Sequence, residues 1–112
     1  MIDLLVVGGG PAGLVTGLHA ARAGLDVVVA DRRQGPIDKA CGEGLMPHTV
    51  AQLEKFGIPL RGRPFHGITY LDETRRVDAG FRAGVGMGVR RTALHAALLE
   101  AATAAGVRLV RN

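Results

Sequence analysis

The stretch Leu4-Leu5-Val6-Val7-Gly8-Gly9-Gly10-Pro11-Ala12-Gly13, with Asp31 closing a second apolar run, decides the fold of this chain. Four apolar residues suit a buried strand, and the spacing G-x-G-x-x-G suits the turn from that strand into a helix. Gly8 and Gly10 let the backbone approach a pyrophosphate, while Gly13 lets the helix lie close to the strand. Pro11 belongs in a first helical turn, where its missing N–H costs nothing. With Ala12 it opens a helix whose first N–H groups, at the positive end of the peptide dipoles, face the phosphates. Asp31, at the tip of the second strand, is placed to accept from ribose hydroxyls. Strand, loop, helix, strand and acid follow in the order that a dinucleotide-binding βαβ unit requires, which separates this stretch from a chance glycine repeat.

Hydrophobic periodicity extends the reading. Leu14, Leu18 and Ala21 make a helical stripe that Gly24 ends. Gly17 inside that helix costs about 1 kcal/mol relative to Ala, which close packing on the sheet would explain. The second strand runs from Asp26 to Ala30. Arg32 to Gly44 is a polar connection, longer than the usual βα turn of about 2–6 residues, and is expected to be functional. Pro47 to Phe56 reads as a helix with Val50, Leu53 and Phe56 inward and Gly57 as its stop. Phe65–Leu71 and Arg76–Phe81 alternate as a hairpin about Asp72-Glu73-Thr74. Gly84-Val85-Gly86-Met87-Gly88 lacks a preceding apolar strand and is expected to be a connection. Thr92 is placed to cap the last helix, Leu94, Leu98, Ala101 and Ala105 to line its inner face, and Gly106 to end it before a strand at Val107–Val110. The expected fold class is α/β, a Rossmann-like parallel sheet with an inserted hairpin, its third parallel strand beside the second.

Composition excludes several classes. A chain of 112 residues that is 47% apolar and 21% charged fits one globular domain. The single Cys41 permits no internal disulfide, and His19, His48, His66 and His95 are too scattered to suggest a metal site. The net charge of +4 is divided among separated pairs, Arg32-Arg33, Arg75-Arg76 and Arg90-Arg91. With one Tyr and three Phe for base stacking, nucleic acid is not an expected partner. There is no secretory leader and no apolar run of membrane-spanning length, so the expected location is cytoplasmic.

The opening LLVVGGGPAGLVTGLHAARAGLDVVVADRR, the segment KACGEGLMP and the segment VRRTALHAALLEAATAAGV together resemble the N-terminal part of the flavoprotein monooxygenase superfamily. This is the group related to para-hydroxybenzoate hydroxylase, with geranylgeranyl reductase-like enzymes and flavin-dependent halogenases among its members. The resemblance runs through nearly all of the chain and implies an FAD-binding Rossmann-like domain over 1–112. Gly8, Gly10 and Gly13 would hold the FAD pyrophosphate and Asp31 the adenosine ribose, although most relatives carry Glu there. Arg32 or Arg33 would lie near the adenine or the phosphates. Arg91, in the pattern R-x-x-L-H with Leu94 and His95, matches the arginine that starts the family's cofactor-contacting helix, and Arg90 could fill the same role. Cys41-Gly42-Glu43-Gly44-Leu45 resembles the glycine-rich stretch that passes the flavin ring in the reductase-like branch. Cys41, Gly42 and Gly44 therefore join the expected cofactor contacts, and the roles of the Cys41 thiol and of Glu43 stay open.

By the same resemblance the implied function is the FAD-binding portion of an NAD(P)H-dependent monooxygenase acting on a small molecule, NAD(P)H being a transient electron donor. Reduction of isoprenoid C=C bonds is the alternative, toward which CGEGL tilts, and a non-catalytic flavin-binding module is a third reading. The family's later Asp-Gly and Gly-Asp motifs and its substrate-pocket sheet do not occur here. The chain is thus expected to be an N-terminal fragment whose partner is the remainder of the enzyme. Leu4, Val6, Val27 and Val29 are expected on the faces left for that remainder.

Overall fold

The computed structural model describes residues 1–33 and 44–111. In chain order its elements are β1 (Leu4–Val7), α1 (Pro11–Arg22), β2 (Val27–Asp31), β3 (Gly44–Leu45), α2 (Pro47–Lys55), β4 (Arg63–Phe65), β5 (Gly67–Leu71), β6 (Arg76–Gly80), β7 (Gly86–Gly88), α3 (Arg91–Ala104) and β8 (Arg108–Arg111). They form two compact units, Met1–Lys39 with Arg91–Asn112, and Ala40–Arg90.

The first unit is the expected parallel sheet. Its strand order is β1-β2-β8, with Leu4 opposite Val27 and Val7 opposite Ala30 on one side of β2, and Val28 opposite Arg108 and Asp31 opposite Arg111 on the other. The third parallel strand thus lies beside the second. A β-carbon on Gly17 would stand 3.1 Å from Val29 and 3.5 Å from Val27, so this glycine sets how closely α1 lies on the sheet. Leu14, Leu18, Val27, Val29 and Leu98 are at most 2% exposed. Each such side chain contributes roughly 1.5–3 kcal/mol by leaving water.

That packing reverses one expectation. Val6, Val27 and Val29 lie under α1, and Leu4 shares their face by register with Val27; Val27 and Val29 are buried there, while Leu4 and Val6 are half-buried. Side chains alternate across a strand, and it is Leu5 (57%), Val7 (84%) and Val110 (51%) on the other face that remain exposed.

The inner face of α3 also departs from the hydropathy stripe. Leu94 and Leu98 are buried as expected, but Ala102 is buried where Ala101 was expected, and Arg91 and His95 share the buried side. Ala101 and Ala105 are only half-buried. Residues 91, 95, 98 and 102 follow the helical repeat as well as the expected set does, and two of them are polar, which a search for apolar periodicity passes over. Since α3 starts at Arg91, Thr92 is a first-turn residue and not the cap.

In the second unit the hairpin forms as read. β5 and β6 pair antiparallel from Leu71–Arg76 to Gly67–Gly80, and the Asp72 carboxylate accepts from the Thr74 and Arg75 backbone N–H groups at 2.9 and 2.7 Å, tying the turn. The strand expected at Phe65–Leu71 divides at His66, because Phe65 pairs with Gly86 while Gly67 pairs with Gly80. Alternation continues through a change of partner and does not register it. Gly86–Gly88, expected as a connection, is instead the middle strand of the antiparallel sheet β3-β7-β4. Two of its three residues have no side chain, so it carries no hydropathy signal; the Phe65 ring occupies the space where a β-carbon on Gly86 would stand.

Gly13 and Gly17 lie one turn apart and separate two kinds of close packing. A β-carbon on Gly13 would collide with the Gly8 carbonyl oxygen, which is backbone, whereas on Gly17 it would press only on valine methyl groups. Gly13→Ala should therefore lower stability by about 1–3 kcal/mol, while Gly17→Ala, gaining about 1 kcal/mol of helix propensity, should be close to neutral. Thermal melts of the two variants check this; equal losses would contradict it.

Candidate functional site

The loop between β1 and α1 is held by backbone geometry. Gly8 has φ +109°, a left-handed conformation that a side chain would strain, and its N–H donates to the Ala30 carbonyl at 2.8 Å. Gly10 precedes α1 with φ −79° and ψ −174°, provides no side-chain cap, and is followed by Pro11 in the first turn, where there is no acidic residue. The α1 N-terminus is therefore an uncapped, electropositive end.

Gly9, buried between them, is gripped on both sides. Its N–H donates to Asp31 Oδ2 at 2.7 Å, and its carbonyl accepts from His95 Nε2 at 2.7 Å. Asp31 comes from the end of β2 and His95 from the second turn of α3, so the loop, β2 and α3 meet at this one residue, through the two successive peptides that flank its α-carbon.

Asp31 is engaged at both oxygens. Oδ2 accepts from Gly9 N–H and from Arg33 Nη2 at 3.1 Å; Oδ1 accepts from the Arg33 backbone N–H at 2.8 Å and from Arg33 Nε at 3.1 Å. Four donors match the roughly four lone-pair directions of a carboxylate. The Arg33 guanidinium, then the Arg33 and Gly9 N–H groups, hold the Asp31 carboxyl well below its ordinary 3.8, and the same contact raises Arg33. His95 is displaced downward, first by burial, with the Arg91 charge acting in the same sense and the Gly9 contact opposing it. Burial thus favours its neutral form.

Beside the loop lies an open cleft of about 570 Å³ lined by Val7, Gly8, Ala30, Asp31, Arg32, Arg33 and Val110, within the range of about 300–1,000 Å³ typical of small-ligand sites. It joins the expected Gly8, Asp31, Arg32 and Arg33 in one place, next to Gly10, Pro11, Ala12 and Gly13 at the helix start. Arg91 begins α3, buried and one turn from His95, whereas Arg90 is exposed. Gly44 lies in the second unit, paired with Gly88. Cys41, Gly42 and Glu43 lie outside the described residues. Two residues of the site were not foreseen, Gly9 and His95. The signal for His95 was a polar residue four positions after Arg91, on the face that α3 buries.

The FAD binding domain family matches residues 1–111. Menaquinone reductase of Mycolicibacterium smegmatis is 57% identical over 56 residues, 50% of this chain and 14% of that protein. Para-nitrophenol 4-monooxygenase of a Pseudomonas species is 42% identical over 55 residues, 49% of the chain and 14% of that protein. The chain thus aligns with about one seventh of the length of these relatives. Among solved structures, a myxobacterial chondrochloren halogenase superposes with a TM-score of 0.87 at 27% identity, over 98% of this chain and 28% of that one.

The Asp31 contacts couple stability to pH. A carboxyl held low in the folded state stabilises it above the unfolded value near 4, and that contribution is lost as pH falls from there toward the folded value. Asp31→Asn should flatten the fall of melting temperature below about pH 4. An unchanged acid limb in this variant would show that the carboxylate is not held as described.

Proposed function

The chain belongs to the FAD binding domain family, and from that premise we propose that its β1–α1 loop and the cleft at Asp31 hold the adenosine diphosphate half of FAD in a flavin-dependent oxidoreductase. The carrying observation is the uncapped α1 N-terminus beside Gly10. A β-carbon on Gly10 would meet no protein atom within 4 Å, so the space over this glycine is open, in front of N–H groups that suit phosphate oxygens. The donor set fits the group: backbone N–H and two arginines for phosphate, a carboxylate for ribose hydroxyls.

Each residue then has a task. Gly8 and Gly10 admit the pyrophosphate, and Gly13 keeps the helix end close to it. Asp31 accepts from a ribose hydroxyl in exchange for part of its Arg33 contacts, and disfavours a ribose bearing a 2′-phosphate. Arg33, 45% exposed, is free to turn to the phosphates or adenine, with Arg32 beside it. Arg91 supports the cofactor from the start of α3. Bound FAD supplies the two-electron chemistry that the side chains lack, passing electrons from NAD(P)H to a substrate.

For the reaction, the 57% identity to menaquinone reductase favours the reductase reading with an isoprenoid quinone as substrate, and we propose an isoprenoid C=C bond as the group reduced. The second reading, oxygen transfer to a small molecule, is favoured by the 42% identity to para-nitrophenol 4-monooxygenase. Either activity belongs to the protein with its substrate-binding remainder, and we place it in the cytoplasm, where NAD(P)H is supplied. No described helix is long and apolar enough to cross a membrane.

Two measurements test this. Because a side chain on Gly10 points into open space, Gly10→Val should melt within about 1 kcal/mol of the flavin-stripped parent's stability yet purify without flavin absorbance; a yellow variant with the parent's flavin content would refute the loop as the cofactor site. With the full-length protein, NAD(P)H and menaquinone under argon, a product heavier by H₂ that keeps its quinone absorbance after exposure to air is expected. Turnover that requires O₂ and adds an oxygen atom to an aromatic substrate would decide for the second reading.

A further inference from the structure

Of the buried polar groups in the first unit, His95 is the one whose role the cofactor reading leaves unexplained. It is 1% exposed, stands in sequence far from the glycine loop, and still spends a short contact on a backbone carbonyl. A carbonyl can only accept, so the Nε2 at 2.7 Å carries the proton. The neutral ring is therefore the Nε2–H form.

The consequence lies on the other side of the peptide. Among the described residues there is no cis peptide bond, and in a trans peptide the N–H points opposite to its carbonyl. Turning the Gly9 carbonyl inward to His95 turns the Gly10 N–H outward, to the open side of the loop. The preceding peptide obeys the same rule. Gly9 N–H is drawn to Asp31, and the Gly8 carbonyl points oppositely, toward Gly13, where only a hydrogen atom leaves it room. Two successive peptide planes are thus set by two side chains, Asp31 and His95, and Gly13 leaves the room that the Gly8 carbonyl needs.

We infer that His95 is a positioning residue of the nucleotide site, whose Nε2–H holds the Gly9–Gly10 peptide with the Gly10 N–H aimed at the pyrophosphate. This rests on the proposed FAD site and adds to it a residue that does not touch the cofactor. Without that donor the peptide is free to rotate, so a donor to the phosphate is lost and the buried Gly9 carbonyl loses its partner.

The test uses the full-length protein, stripped of flavin, with FAD, ADP and adenosine as probes. His95→Leu should weaken FAD and ADP by about tenfold, the scale of one buried hydrogen bond. Adenosine, which has no phosphate, should change by less than about twofold. His95→Gln, whose amide N–H reaches in the same direction, should recover most of the loss. Parental affinity for FAD in His95→Leu would overturn the inference, as would a glutamine variant that melts like the parent and binds as weakly as the leucine one. Adenosine weakening as much as ADP would reduce His95 to general packing. If the parent itself takes up no FAD, the cofactor reading fails first; parental binding with all variants alike removes His95 alone.

Discussion

Gly9 is the residue on which the parallel unit depends. Its N–H and its carbonyl belong to two successive peptides, and a buried backbone polar group without a partner costs about 1–3 kcal/mol. Two side chains meet that demand: Asp31 from β2 at its N–H and His95 from α3 at its carbonyl. A local requirement of three glycines thereby fixes where the end of the central strand and the second turn of a distant helix must sit. The same two contacts give the loop its shape, so the contacts that close the fold also set the loop that would hold a cofactor.

Legibility from sequence follows from what kind of interaction each feature uses. The loop, α1, β2 and Asp31 are encoded within thirty-one residues by glycine spacing, a proline and apolar runs, and the structure has them in that order, with β2 running Val27–Asp31, one residue later than the Asp26–Ala30 read from hydropathy. The hairpin is encoded by alternation and by the Asp72 turn. β7 is different: Gly86 and Gly88 offer no side chain, and the pairing is written only in backbone groups and in the Phe65 ring that needs their small size. His95 is different again. Its role depends on a carbonyl brought to it by tertiary packing, and a histidine in an apolar-periodic helix carries no local mark of that.

The sheet shows how an error of face arises. Leu4, Val6, Val27 and Val29 are as apolar as Leu5, Val7 and Val110, and alternation alone says that two sets exist without saying which one the helix covers. Gly17 decides it: the side of the sheet that carries Val27 and Val29 is the one that α1 can approach closely, because α1 has no side chain at that point. A glycine in the middle of a helix is therefore a statement about the neighbouring surface as much as about the helix.

Asp31 is already fully coordinated, with four donors around its two oxygens. In the proposed site, recognition at this carboxylate would be a competition in which an arriving hydroxyl displaces a guanidinium, its strength a difference between two sets of contacts. Such a site is selective without being sticky. A ligand that brings only one donor gains little there, whereas one that also offers negative charge to the displaced Arg33 recovers what the exchange gives up.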